Sequence, residues 1–346
     1  MAIPPGSLVL ITGVNGYIAS TIASQLLEAG FQVRGTVRDL QRCGWLESFF
    51  SSKYGAGRFS LVQVSDLAAD HAFDAAAADC SGIAHVAAIR EAFSATDPRA
   101  IIQAEITGAL NVLTAAAQQP SVKRVVFTSS SWAAHNPRAG VPYTLSEWTY
   151  NEAAIKAAWD PSQGQAATGQ IIFSANKAQT DRAMWEWMRE HKPGFVFNVV
   201  VPATVFGRIL HAAEQGTPTT AGFIKMLFYN QNTDFVTSFV EPQWFVDVGD
   251  TARLHVAALV REDVVGERLF AYAERYNWND VLVILEKGWP KREFVKEFER
   301  LGMDEGTVPN ARAEDVLKAM GREGWVGLEE SVRETAESFL DGGGLS

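Results

Sequence analysis

Thr12-Gly13-Val14-Asn15-Gly16 breaks two regular patterns at the start of the chain. Before it, residues 8–11 (LVLI) form an apolar run of strand length; after it Ile18, Ile22, Leu26 and Leu27 recur at helical spacing until Gly30. Such a turn suits a pyrophosphate. Gly13 can adopt a backbone conformation closed to other residues, Gly16 lets an anion approach the main chain, and the amides that open the helix face it. The spacing is Gly13-x-x-Gly16-x-x-Ala19, and its place between a buried strand and an amphipathic helix gives it weight. The expected contacts are Gly13, Asn15, Gly16, Tyr17 and Ile18.

A second group would read the far end of the same ligand. The next strand, over 31–37, runs into Arg38 and Asp39. An acidic residue there takes ribose hydroxyls, whereas an arginine accommodates a 2′-phosphate. The ending Thr36-Val37-Arg38 therefore points to NADP(H), with Arg34 and Arg42 as helpers and Asp39 as the dissenting side chain. After a strand over 59–64, Asp66 and Leu67 form an acid-plus-apolar pair that suits an adenine or caps a helix. A strand over 122–131 runs into the hydroxyls of Thr128, Ser129, Ser130 and Ser131.

The elements that must position these groups alternate. Strands are expected over 83–88 and 195–201, and helices over 98–118, with Ile102, Ile106, Leu110 and Leu113 on one face, and over 173–191. Alternation of this kind calls for a Rossmann-type α/β fold, a doubly wound parallel sheet covered on both faces. The expected organisation is a dinucleotide-binding domain over 1–201 and a smaller, mainly substrate-binding lobe over 202–346, with the chain crossing back to the sheet near 243–260. Between 132 and 170 the pattern is lost, and loop with short helical turns is expected.

Composition excludes several classes. A net charge of −10 and a pI near 5.2 argue against a nucleic-acid surface. No uninterrupted apolar run approaches ~18 residues, so no membrane partner is expected. Cys43 and Cys80 make neither a disulfide framework nor a metal spacing, so no metal is expected. The N-terminus lacks a basic leader region, and a cytoplasmic location follows as an expectation.

With TGVNGYIAS, RGTVRD, VKRVVFTSSS, NKAQTDRAMWEW, VVPATVFG and FVDVGDTARLH in this order, the chain resembles the extended short-chain dehydrogenase/reductase family. It is most similar to the dihydroflavonol-4-reductase-like branch and its fungal carbonyl (aldehyde) reductase relatives. The resemblance implies that Gly13, Gly16 and Ala19 hold the pyrophosphate and that Arg38 reads the 2′-phosphate. Asp66 and Leu67 would flank the adenine, Val86 and Ala87 the pyrophosphate and ribose, and Pro202 through Val205 the nicotinamide. Ser130 matches the catalytic hydroxyl, and Lys177 the lysine that holds ribose hydroxyls and lowers the pKa of a neighbouring phenol.

That phenol is missing. The family's proton donor is a tyrosine four residues before the lysine, and here that position is Phe173. None of the 7 tyrosines has a lysine four residues later. The resemblance implies NADPH-dependent reduction of a carbonyl on a flat, hydrophobic or aromatic small molecule. Phe173 leaves other readings open: an inactivated form of such a reductase, a redox-neutral isomerase or cyclase of a secondary metabolite, or a non-catalytic NADP-binding sensor. Trp132, His135, Phe173, Phe206 and Phe223 are the expected pocket residues, and the chain is expected as a monomer or homodimer.

Overall fold

The computed structural model describes residues 2–89, 92, 97–160 and 169–341. Its strands, in chain order, are β1 (Leu8–Ile11), β2 (Gln32–Val37), β3 (Phe59–Gln63), β4 (Gly82–His85), β5 (Arg124–Thr128), β6 (Val196–Pro202), β7 (Thr204–Phe206), β8 (Gln243–Asp247), β9 (Arg268–Ala271) and β10 (Glu274–Tyr276). The larger sheet has the order β3-β2-β1-β4-β5-β6-β9, and its neighbours from β3 to β6 run parallel. Val9, Leu10 and Ile11 are wholly buried, as expected where both faces of a parallel sheet are covered. The strand order reverses between β1 and β4, and the glycine turn leaves β1 at that switch point, where open α/β sheets bind ligands.

Two compact units divide the chain. The first comprises Met1–Asn136, Trp148–Val201 and His255–Leu269; the second comprises Pro137–Glu147, Pro202–Leu254 and Phe270–Ser346. The return to the first unit thus falls at 255–269 rather than 243–260, and an excursion at 137–147 belongs to the second.

Several boundaries differ from the sequence expectation for a local reason. β4 stops at His85 because the Thr12 hydroxyl takes the amides of Val86 and Ala87, both at 3.0 Å. β5 stops at Thr128, after which Ser130 caps a single 3₁₀ turn, Ser131–Ala133. Within 132–170 a helix forms over Glu152–Trp159, capped by the Asn151 side chain on the Ala154 amide; 161–168 lie outside the described residues. The next helix, Gly169–His191, starts four residues before the expected 173.

The Pro98–Ala117 helix is opened by Pro98 and by Asp97, whose carboxylate accepts the Arg99 amide. Its buried face carries Ile102, Glu105, Ala109, Val112, Leu113 and Ala116. That is a rotation from the expected stripe, because Ile106 and Leu110 are only half-buried. The helix is long and apolar enough to cross a membrane by length and composition alone. It packs within the first unit, where Ile102 meets Ala158 and Ala175.

The second unit holds the sheet β10-β8-β7 and a core around Trp278, whose indole donates to the Val240 carbonyl at 2.8 Å. A helix absent from the sequence expectation, Leu328–Asp341, docks on the segment after β7 through small hydroxyls. Gly207 and Ile209 donate their amides to Thr335 and Ser338, at 2.7 and 3.0 Å. Ser331 donates to Asp247 at 2.9 Å. Gly207 (φ +122°) admits no side chain, since a Cβ there would lie 2.5 Å from Asp247 Oδ2.

Burial pushes the Asp247 carboxyl up to about 6, against the hydrogen bonds from Ser331 and the Gly249 amide. A carboxyl raised on folding binds its proton more tightly in the native state. Its contribution is therefore full below the unfolded value of 3.8 and is lost as pH rises through about 6. Urea unfolding of the parent and of D247N should show the parent losing about 2–3 kcal/mol relative to the variant between ~pH 4 and ~pH 7. A constant difference across that range would rule out the buried titration.

Candidate active site

The turn after β1 is built around one hydroxyl. Thr12 Oγ1 accepts the amides of Val86 and Ala87, so its own proton goes to His85 Nδ1 at 2.8 Å. His85 therefore carries its proton on Nε2, and burial first, with the Lys177 charge second, pushes its pKa down to about 3. Gly13 follows at φ +65°, and a Cβ there would meet Ala87 Cα and Cβ at 3.1 Å. Its amide donates to Thr36 Oγ1 at 3.1 Å, and the Val14 amide to the Thr36 carbonyl at 3.0 Å.

Asn15 and Gly16 are exposed, Tyr17 and Ile18 half-buried, and Ala19 buried. The Tyr17–Glu28 helix has a glycine at its N-cap and no acidic residue in its first turn. A backbone cradle with room for no side chain, at the positive end of a helix, fits the pyrophosphate of a dinucleotide. Arg38 is exposed beyond β2. Asp39, the dissenting residue, is committed as a cap, accepting the amides of Gln41 and Arg42 at 2.9 and 3.2 Å. Asp66 is likewise exposed and accepts the Ala68 amide at 2.9 Å, while Leu67 lies against Gly108.

The end of β5 separates its hydroxyls by role. Thr128 Oγ1 lies 2.7 Å from His255 Nε2, and Ser129 donates to the buried Asp181 at 2.7 Å. Ser130 is the half-buried one. Its oxygen accepts the Trp132 amide at 3.3 Å, which leaves its own proton to donate.

The Gly169–His191 helix carries Phe173, Lys177 and Asp181 at successive i, i+4 positions, on one face. Phe173 is half-buried and meets Trp132 edge to face, with ring centroids 6.0 Å apart. Lys177 is buried, with Nζ 3.4 Å from the Thr128 carbonyl and 5.1 Å from the Phe127 ring centre. Asp181 pairs with Arg268 at 2.9 Å. Ser174 closes the arrangement: it donates to the Gln170 carbonyl and accepts from Asn136, which in turn accepts from Asn151.

Within the first unit the structure thus gathers Ser130, Trp132, Phe173 and Lys177, with His135 half-buried just after the 3₁₀ turn. Pro202, Val205, Phe206 and Phe223 belong to the second unit. Two of these lie in the interior of that unit. Phe206 is fully enclosed by Phe245, Tyr276 and Trp278, and Phe223 is buried between Phe239 and Trp278. Both pack in the aromatic cluster around Trp278. Sequence reasoning missed Glu105, whose Oε1 lies 3.4 Å from Lys177 Nζ. Its signal was a charge at the buried spacing of Ile102, Ala109 and Val112.

The chain is similar to several known proteins over almost its whole length. Ketoreductase adrE of Penicillium rubens is 40% identical over 340 residues, 95% of this chain and 96% of that protein. NAD-dependent epimerase/dehydratase terH of Aspergillus terreus is 37% identical over 336 residues, 97% and 98% of the two chains. Aldehyde reductase 2 of Sporidiobolus salmonicolor is 34% identical over 337 residues, 97% of each. Among solved structures, yeast methylglyoxal/isovaleraldehyde reductase Gre2 complexed with NADPH superposes with a TM-score of 0.80 at 23% identity, covering 96% of this chain and 98% of that one. That last likeness is one of fold. The model of the NAD dependent epimerase/dehydratase family matches residues 9–277, and the chain belongs to that family in its extended short-chain dehydrogenase/reductase form.

Proposed function

We propose that this chain binds NADP(H) and reduces a ketone or aldehyde on a flat, hydrophobic small molecule. The observation that carries the reading is Ser130, whose proton is free to donate, set at a strand end that Lys177 also touches. Relatives named ketoreductase and aldehyde reductase, aligned over almost their whole length, support it. A reduced nicotinamide, when bound, supplies the hydride for such a reduction. Ser130 would donate to the carbonyl oxygen as charge develops on it. Lys177 would hold ribose hydroxyls, and the Trp132–Phe173 corner would seat an apolar ring.

Phe173 keeps a wall and supplies no proton, so the product alkoxide is left to water. Positioned acid catalysis is worth ~10²–10⁴ in rate, and the chain should be slow by about that factor rather than inert. In single-turnover reactions with a panel of ketones and aldehydes, NADPH absorbance should fall as alcohol appears. The bare ring also favours a second reading, a redox-neutral isomerase or cyclase. Product formed with no loss of NADPH would replace the first reading by the second.

The commitment of Asp39 to its cap supports NADP(H) over NAD(H). Arg38→Ala should weaken NADPH binding by at least ~10-fold and leave NADH nearly unchanged, as read by fluorescence titration. Equal losses for both would remove Arg38 from the phosphate site. Lys177→Ala should weaken NADPH even with Phe173 in place, by the ~1–3 kcal/mol of a charge-assisted hydrogen bond. An unchanged affinity would show that the lysine does not reach the ribose.

A further inference from the structure

The Pro98–Ala117 helix turns a carboxylate inward from the middle of its apolar face. Glu105 is 3% exposed and Lys177 is 4% exposed. Glu105 Oε2 accepts the Ile89 amide at 2.6 Å, which fixes the carboxylate, and Oε1 lies 3.4 Å from Lys177 Nζ. Among the described residues, the Thr128 carbonyl, the Phe127 ring and, on β4, His85 also face this ammonium. His85 is neutral across the physiological range. Asp181, one turn further along the lysine's own helix, is engaged with Arg268 and Ser129.

A buried charge is tolerated only when paired, and each member of a close pair cancels most of the other's field. We infer that Glu105 is a positioning residue of this site: it anchors the Lys177 ammonium and cancels the charge that would otherwise act on position 173. Residues four apart on a helix are neighbours, so that charge is the one that would ionise a phenol at 173. Phe173 and Glu105 are then matched, for the lysine's counter-charge comes from a carboxylate on another helix rather than from a phenol on its own. The inference deepens the reading of the same site and rests on it only in treating position 173 as the place of the proton donor. The pairing itself can be read without any turnover.

The test is a titration of the introduced phenol. Tyrosine labelled with ¹³C at the ring carbon bearing oxygen is incorporated into F173Y, F173Y/E105Q and F173Y/E105D, all free of cofactor. The resonance absent from the parent is followed across ~pH 6–11. In F173Y the phenol should titrate at or above the ordinary ~10, because the ammonium is already matched. In F173Y/E105Q the midpoint should fall by about 1–3 units, the effect of an uncompensated cation within ~4–6 Å. F173Y/E105D keeps the carboxylate and should stay with F173Y. A midpoint in F173Y a unit or more below ~10, or one that E105Q leaves unmoved, would overturn the inference. F173Y alone remains decisive where E105Q does not fold. Failure of carbonyl reduction in the parent would leave this result untouched.

Discussion

The hydroxyl of Thr12 is the interaction on which the rest of the first unit depends. Both of its lone pairs are taken by the amides of Val86 and Ala87, and its proton by His85. Those two amides would otherwise continue the ladder of β4. By withdrawing them, Thr12 ends that strand, brings Ala87 against Gly13, and leaves no room there for a side chain. His85, held in one tautomer, stacks on Phe127 with ring centroids 5.6 Å apart, and Lys177 lies over the same Phe127 ring. A single side chain thus relates the floor of the anion cradle to the base of the lysine.

The Gly169–His191 helix supplies the complementary half. Phe173, Lys177 and Asp181 follow one another at single-turn intervals, and the two charged members are paired from outside the helix. Buried pairs of this kind add little net stability, because desolvation consumes most of the Coulombic gain. What they do is fix orientation. Asp181 also takes the Ser129 hydroxyl, which leaves the neighbouring Ser130 as the hydroxyl with a proton to give.

Much of the first unit was legible in the sequence. Parallel strands covered on both faces are continuous apolar runs, and the turn after β1 needs glycine for steric reasons that spacing reveals. Strand ends were not legible where a side chain captures the next amides, as Thr12 does beyond His85. Glu105 was hidden because one buried charge in an apolar helix reads as the edge of its solvent face, so the stripe was placed on Ile106 and Leu110. The Leu328–Asp341 helix was legible in principle, since Leu328, Val332, Ala336 and Phe339 recur at helical spacing; Ser331, Thr335 and Ser338, buried beside them, could not have been told from solvent-facing hydroxyls. Phe206 and Phe223 show a different limit: an aromatic residue announces burial, and the sequence does not say against what.

The first unit is made of separate stretches of chain, and that has a consequence for the order in which it can be completed during synthesis. β1 to β6 emerge early, but the edge strand β9 follows only after 202–254 has been made. Until then the Thr128 hydroxyl lacks His255, and the Asp181 carboxylate lacks Arg268, 87 residues further along. A nascent chain that buried Asp181 early would bury it unpaired, at a cost of several kcal/mol. The late arrival of Arg268 therefore orders assembly: Asp181, on the helix that bears Phe173 and Lys177, gains its counter-charge only once the chain has been made through that arginine.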